Sequence, residues 1–557
     1  MASFPDLPPL VVQILYNRGI RTVDEAGAFL SRSFAFDNPF RLKGMNAAVT
    51  RLRQAVRGGE TIAVYGDYDA DGVTATALLV PMLSALGAQV IPYIPNRMEE
   101  GYGLNQAALA KLASEGVDVV VTVDCGVRSY EEVAYANELG LDVIITDHHG
   151  VGAQLPAAVA VIDPKREDDQ YPFKQFAGVG LAFKLAQALL RVERQLPTSI
   201  EATLPDEEAM LDLVALGTVA DLAPLVGENR ALVSRGLERM NMAQRPGIAA
   251  LLHEAGLQPG QVQAGSVGYV LGPRLNAAGR LDDASASYKL LTTSSASEAA
   301  ELAQQLGEQN RERQRLTQEM VDRARQQVRD FEDARVYVLA DRSYAAGIAG
   351  LVANRIQDEF YRPALVIALE EGLSKGSARS IKGFHITRAL EECGDLLERF
   401  GGHSAAAGFT IRNGNIEALR EELNGIAARD LDDDDLVASL AVDAEMPLTG
   451  ADPATADQLE TMRPFGIGNP RPTLISQGVQ VRSCYSVGRD GTHLKLKLSD
   501  GVDLWDAIAF RQAVPPEAVP PRIDAVYTLQ NTEWKGRKRL ELIIKDWRTA
   551  ACDLPSH

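Results

Sequence analysis

Between Val64 and Gly72 the chain reads Val-Tyr-Gly-Asp-Tyr-Asp-Ala-Asp-Gly, so Asp67, Asp69 and Asp71 stand at alternate positions directly after an apolar run. At the end of a strand this spacing puts three carboxylates on one side, where their repulsion is tolerable only if cations neutralise it. The chemistry indicated is metal binding. An EF-hand calcium loop opens with the same D-x-D-x-D-G pattern, but it needs a glutamate at its twelfth position, which here is Leu78. A solvated Asp/Gly turn is the other reading of the motif taken by itself.

Three further clusters each follow a segment that reads as a buried parallel strand. The run 117–123 ends in Asp124-Cys125-Gly126, the run 141–146 leads into Asp147-His148-His149, and Leu213 to Ala220 leads into Asp221. Ligands in open α/β sheets sit at the carboxyl ends of the strands, so these residues can converge on one pocket of carboxylates and imidazoles.

The elements that must position them follow from the rest of the chain. A length of 557 residues exceeds what one hydrophobic core supports and predicts three or four domains. With 46% hydrophobic and 24% charged residues, the bulk of the chain is expected to fold. From about Met45 to Ala220, apolar runs alternate with helical patterns at Val73–Leu86 and Gln106–Leu112, the rhythm of a parallel sheet covered by helices. Residues 297–330 change to a long polar helix in which Leu302, Leu306, Leu316 and Met320 make a narrow apolar stripe. A second α/β segment begins near Arg335, includes the strand Ala364–Leu369, and carries Gly401-Gly402-His403-Ser404-Ala405-Ala406-Ala407-Gly408 near its end. Residues 405–408 by themselves would also suit the start of a tightly packed helix. The acidic run 430–435 then reads as a linker. Beyond it, strict alternation at Thr492–Leu498 and in parts of Arg539–Ile544 predicts half-buried antiparallel strands of a small barrel. The resulting division is 1–45 as a lead-in, 46–295, a connecting helix 296–330, 331–429, a linker 430–445, and 446–550.

The formal net charge of −19 argues, taken alone, against a nucleic-acid partner. Many of the acids sit in the proposed metal site or in the 430–435 run, however, so local charge decides. Met1 to Ile20 has no basic region before a long apolar core, and the apolar stretch 78–94 is broken by Pro81 and Pro92. The expectation is a cytoplasmic protein with no membrane partner. Cys125, Cys393, Cys484 and Cys552 lie far apart without paired metal-binding spacing, and Cys125 reads as a packing residue.

Taken in order, Gly66–Gly72, Asp124–Gly126, Asp147–His149 and Gly217–Asp221 resemble the four motifs of the DHH phosphoesterase superfamily. Gly272-Pro273-Arg274-Leu275-Asn276-Ala277-Ala278-Gly279-Arg280-Leu281 resembles a hallmark of its RecJ branch, and Gly401–Gly408 resembles the GGHxxAAG signature of the DHH-associated domain. The resemblance spans nearly the whole chain. It implies a parallel-sheet DHH domain and a smaller α/β DHH-associated domain joined by the long helix, followed by a C-terminal barrel of the oligonucleotide-binding (OB) type. It also implies a 5′-to-3′ exonuclease on single-stranded DNA, with a role in repair, dependent on two divalent cations, Mn²⁺ foremost and Mg²⁺ admissible. A helicase and a single-stranded-DNA-binding protein are candidate partners.

By the same resemblance, Asp69 and Asp71 would bind different metals, Asp124 would bridge them, and His148 and Asp221 would complete the second site. His149 would face the scissile phosphate and Asp147 would orient the neighbouring imidazole. Some superfamily members carry a histidine ligand where Tyr65 stands, so Asp67 or water would substitute. Arg274, Asn276, Arg280, Arg311, Arg313, Ser377 and Arg379 would contact phosphates, Gly402 and His403 the DNA, and Trp534, in its basic stretch, a base. Two other readings remain: a phosphoesterase for short oligonucleotides or small nucleotides, and a non-catalytic DNA-binding scaffold.

Overall fold

The computed structural model describes residues 7–31, 36–97, 100–197, 204–281, 283–331, 333–488, 491–512, 514–534 and 537–550. Helices α1 (Pro9–Asn17) and α2 (Val23–Ser31) come first, followed by α3 (Met45–Gly58) and the strand β1 (Thr61–Gly66). Helix α4 (Ala70–Ala85), β2 (Gln89–Tyr93), α5 (Gln106–Ser114), β3 (Val119–Val123), α6 (Tyr130–Glu138), β4 (Asp142–Thr146) and β5 (Ala160–Ile162) continue the alternation. The five strands are all parallel, in the order β2-β1-β3-β4-β5. Valine, isoleucine and alanine fill β1 and β3 because both faces of the sheet are covered. One face packs on α3 and α4, the other on α5 and α6 through Leu109, Leu112, Val133 and Ala136. Strand order reverses between β1 and β3, and this switch point is where a doubly wound sheet opens a crevice at its carboxyl edge.

Helices α7 (Gly178–Gln195), α8 (Leu211–Ala220) and α9 (Gly227–Asn241) extend the same core. Here one expectation fails: Leu213 to Ala220 is no strand but the body of α8. Its eight apolar or small residues suit either element, and α8 is buried on every side between α4, α7 and α9, which is why no polar face betrays the helix.

The helix Ala296–Val328 runs unbroken to a second sheet, ordered β6-β7-β8-β10-β9, with β6 (Tyr337–Asp341) and β7 (Ala364–Ala368) parallel and β8 (Leu373–Arg379), β9 (Leu397–Gly402) and β10 (Ala406–Arg412) antiparallel. The Gly401–Gly408 segment is therefore a tight β9–β10 hairpin, and a helix starting at Ala405 is excluded.

The third sheet adds β11 (Ala444–Glu445) to a barrel of β12 (Leu474–Val487), β13 (His493–Ser499), β14 (Leu504–Ala509), β15 (Arg522–Trp534) and β16 (Arg537–Thr549), closed by β12–β15 pairing. Residues 9–31, where the sequence suggests only a lead-in, belong to it: Val11, Ile14, Leu15 and Ala26 share one core with Leu448, Leu459, Leu474 and Leu496. No helix among the described residues is long and apolar enough to cross a membrane.

One buried ion pair pins this body together. The Lys184 ammonium on α7 meets the Glu228 carboxylate in the first turn of α9, both side chains wholly buried, and Glu228 Oε1 also accepts from the Tyr171 hydroxyl at 2.6 Å. Removing one partner strands the other charge, at a cost of about 3–5 kcal/mol. Lys184→Met is expected to lose that much stability in urea denaturation, and the double variant Lys184→Met/Glu228→Gln to regain most of it.

Candidate metal centre

The carboxyl edge of the first sheet gathers the acids. Asp67 follows β1, and Asp69 caps α4, its Oδ1 accepting from the backbone N–H groups of Asp71 (2.9 Å) and Gly72 (3.1 Å). Asp71, in the first turn of α4, accepts from the Gly178 and Val179 amides at 2.6 and 2.9 Å, so the positive end of α7 faces its charge. Asp124 follows β3 in the left-handed region, with φ 66°. His148 follows β4, and Asp221 ends α8. Two glycines make this convergence possible. A Cβ on Gly178 would lie 2.5 Å from Asp124 Cβ, and one on Gly217 would lie 2.2 Å from Thr74 Oγ1, so α7 and α8 can approach only because these residues have no side chain.

Ligand atoms of Asp67, Asp69 and Asp124 lie within 4.8 Å of one another, and so do those of Asp71, His148 and Asp221. Asp124 touches both groups, since its Oδ1 is 2.9 Å from His148 Nε2. Asp67 Oδ1, Asp124 Oδ1 and His148 Nε2 are all buried without a hydrogen bond. Such atoms are costly unless something else satisfies them. Their ring of oxygens and one imidazole fits two divalent cations that accept mixed oxygen and nitrogen ligation.

Burial, then the charge of Asp69, pushes Asp71 up to about 7. Burial, then Asp71 and Asp69, pushes Asp221 up to about 9. Asp67 and Asp124 are also raised well above the carboxylate range, by burial first and neighbouring carboxylates second. His148 falls to about 3, through burial and then the charge of His149, which leaves its imidazole neutral and free to ligate. His149 behaves oppositely: burial opposes its charge, but the 2.7 Å bond to Asp147 Oδ1 and that carboxylate's charge raise its pKa. Asp147 is itself fixed by the Val127 and His148 amides at 2.9 and 2.7 Å.

Of the remaining expected contacts, the structure brings Arg280, Arg313 and Arg379 together, joined by Arg97, which sequence reasoning missed. Arg280 is pushed down to about 10 by burial and then by the neighbouring guanidiniums of Arg97, Arg313 and Arg379, with Asp69 the nearby opposing charge. Arg280 also donates to the Gly347 carbonyl at 3.2 Å, bridging the two α/β domains. Ser377 lines a cavity of about 400 Å³ between them, together with Tyr68, Arg97, Lys375, Arg399 and Phe400. His403 stands at the exposed hairpin tip, where burial and then the charges of Arg379 and His149 lower its pKa; Gly402 lies beside it at φ 152°.

Others are engaged elsewhere. Arg274 and Arg311 are both held by Glu254, at 2.7 and 2.8 Å, and Arg274 is mostly buried, so it ties helices together instead of presenting its charge. Asn276 Oδ1 accepts from the Ala70 amide at 2.7 Å and so anchors the start of α4. The side chain of Trp534 lies outside the described residues. On the barrel, half-exposed Tyr485 stands instead with Lys495, Lys497 and Arg539 around a cavity of about 470 Å³.

Sequence reasoning missed Tyr102, whose hydroxyl lies 3.1 Å from His149 Nδ1, and Lys165, whose ammonium donates to the His148 carbonyl. The flanking glycines of Tyr102 were the available signal. Tyr65 turns from the site into the opposite core, where it donates to the Gly103 carbonyl at 3.0 Å and so supports the turn bearing Tyr102.

Comparison with known proteins then decides the family. Residues 61–218 match the DHH family N-terminal domain, 333–429 the DHHA1 domain, and 442–546 the RecJ OB domain. A single-stranded-DNA-specific exonuclease RecJ from Escherichia coli (strain K12) is 36% identical over 558 residues, covering 97% of this chain and 96% of the relative. The chain belongs to the RecJ family. The RecJ of Bacillus subtilis (strain 168) is 40% identical, over 97% of this chain and 68% of its own length. The crystal structure of RecJ in complex with Mn²⁺ from Thermus thermophilus superposes with a TM-score of 0.84 at 33% identity, covering 99% of this chain and 77% of that one, and a Mg²⁺ complex of the same protein gives 0.78.

The raised pKa values fix a sign for pH. Between the unfolded carboxylate pKa of about 4 and folded values of about 7 for Asp71 and about 9 for Asp221, the native state holds more protons than the unfolded one. Stability of the chelated protein is therefore expected to fall as pH rises from about 5 to about 9. Denaturant melts of chelated protein check this, and saturating Mn²⁺ should reverse the trend; a flat or rising profile without metal would contradict the assignment.

Proposed function

We infer that the chain is a metal-dependent exonuclease that hydrolyses single-stranded DNA from its 5′ end to mononucleotides, in DNA repair and recombination. The observation that carries this is the buried ring of Asp67, Asp69, Asp71, Asp124, His148 and Asp221 beside the Arg97, Arg280, Arg313 and Arg379 cluster. Acids collect cations at one wall of the cleft, and guanidiniums collect phosphates at the other.

Asp67, Asp69 and Asp124 would hold one cation, and Asp71, His148 and Asp221 the second, with Asp124 shared. When bound, such a pair supplies an activated water and neutralises the attacking and leaving oxygens of a phosphodiester. Mn²⁺ is the favoured ion, Mg²⁺ the alternative, and the relatives with metal in their crystal structures support both. His149, whose charged form Asp147 favours, would donate to a phosphate oxygen, and Tyr102 would restrict its ring. Arg280, tied to Gly347, would hold the two domains close enough to admit one strand and refuse a duplex. Ser377 and Arg379, with His403 across from His149, would seat the 5′ end.

A helicase and a single-stranded-DNA-binding protein are the partners this activity calls for, because both present free strands, and we place the enzyme in the cytoplasm. The presence of all six candidate cation ligands, Asp67, Asp69, Asp71, Asp124, His148 and Asp221, speaks against the non-catalytic scaffold.

Incubation with 5′- and 3′-labelled single-stranded and duplex DNA plus Mn²⁺ tests the reading. Mononucleotides should appear from the 5′ end of single strands only, and Asp124→Ala should slow their release by roughly a hundredfold or more, the scale of losing transition-state charge stabilisation. DNA binding without metal-dependent cleavage would favour the scaffold, and turnover confined to very short oligonucleotides would favour the small-substrate phosphoesterase.

A further inference from the structure

Asp221 is followed by a short strap, residues 222–226, that joins α8 to α9, and Leu222 at its start is held at φ 60°, a conformation that non-glycine residues seldom keep unless their surroundings impose it. That turn is the C-terminal cap of α8, the Leu222 amide donating to the Val219 carbonyl at 3.2 Å and the Ala223 amide to the Thr218 carbonyl at 3.1 Å. Beyond it the strap is held within the catalytic domain, where the buried Asn229 donates to the Pro224 carbonyl at 3.1 Å and to the Gln175 carbonyl at 2.6 Å. The strap is also held from far along the chain. The Leu225 amide donates to the Ile467 carbonyl at 2.7 Å, in the turn 464–470 just before the barrel strand β12.

That turn is itself fixed. Gly466 and Asn469 exchange backbone hydrogen bonds of 2.9 and 3.1 Å, and Asn469, almost fully buried, donates to the Met462 and Pro464 carbonyls. Arg230 of α9 reaches the Arg463 and Pro464 carbonyls, and Arg18 of the α1 end donates to the Pro470 carbonyl at 2.7 Å. The turn also lies flush on the strap. A Cβ on Gly468, at φ 73°, would stand 3.1 Å from Pro224 Cβ and 3.2 Å from Val226 Cγ1, and one on Gly466 would stand 2.7 Å from Leu225 Cδ1.

We propose that the 464–470 turn is a positioning element for the metal centre: by clamping residues 222–226 it holds Asp221 in register with Asp71 and His148. The barrel-side domain thereby sets cation affinity at the second site as well as meeting DNA. This rests on the two-cation reading given above, and it assigns Gly468 and its neighbours an effect on metal that a DNA-binding module alone would not have.

Calorimetric titration of the full chain with Mn²⁺ alone, without DNA, tests it. Gly468→Ala, strained in backbone and crowded against Pro224, should weaken one of the two Mn²⁺ sites by about tenfold or more, the effect expected when a residue supporting a ligand is lost. In the exonuclease assay its kcat should recover as Mn²⁺ is raised, while KM for single-stranded DNA at saturating Mn²⁺ stays at the wild-type value. Should Gly468→Ala fail to fold, Gly466→Ala, which needs only the flexible end of Leu225 to yield, should give a smaller loss of Mn²⁺ affinity in the same titration. Unchanged Mn²⁺ affinity in a folded variant overturns the proposal, as does a defect confined to KM for DNA. A wild-type protein that binds two Mn²⁺ ions yet cuts no DNA would remove the exonuclease reading and leave this one standing.

Discussion

Everything at the carboxyl edge of the first sheet is arranged around a repulsion. Five aspartates and a histidine occupy a space largely closed to water, where charges of like sign interact far more strongly than they do in solvent. Folding alone cannot relieve this. The chain assembles the site by other means: helix α7 aims two amides at Asp71, α4 begins on Asp69, and Asp124 accepts a left-handed backbone to face inward. The fold stores an electrostatic debt, and divalent cations cancel it.

The second α/β domain completes the picture by carrying charge of the opposite sign. Arg379 comes from β8, Arg313 from the long connecting helix, and Arg280 and Arg97 from the first domain, so no single domain owns this basic cluster. The net charge of −19 therefore says little about the cleft, because the acids are spread along the whole chain while these guanidiniums meet in space. An overall acidic protein can still attract a polyanion where its field is locally positive.

Much of this was legible in the sequence because strand ends announce themselves. Apolar runs closing in Asp124 and in Asp147-His148-His149 locate ligands at the edge of a parallel sheet without any knowledge of contacts, and the α/β class with a terminal barrel follows from periodicity alone. What escaped had no local signature. The run Leu213–Ala220 could be strand or helix, and only the crowding of α8 between other helices settles it. Arg274 carries the same guanidinium as Arg280, yet one meets Glu254 and the other faces the cleft, a difference set by tertiary partners. Tyr102 lies in a turn whose only mark is its glycines, and its value comes from His149, forty-seven residues later.

The shared core of α1 and α2 with the barrel has a consequence for how the molecule comes into being. Residues 9–31 are made before the metal centre, yet the core that buries their apolar side chains is completed only by residues 444–549. The two catalytic domains between them can fold as they appear, while the barrel core that takes up α1 and α2 must wait for the whole of the intervening chain. Docking of α1 and α2 on the barrel thus comes only after translation has passed every residue of the metal centre.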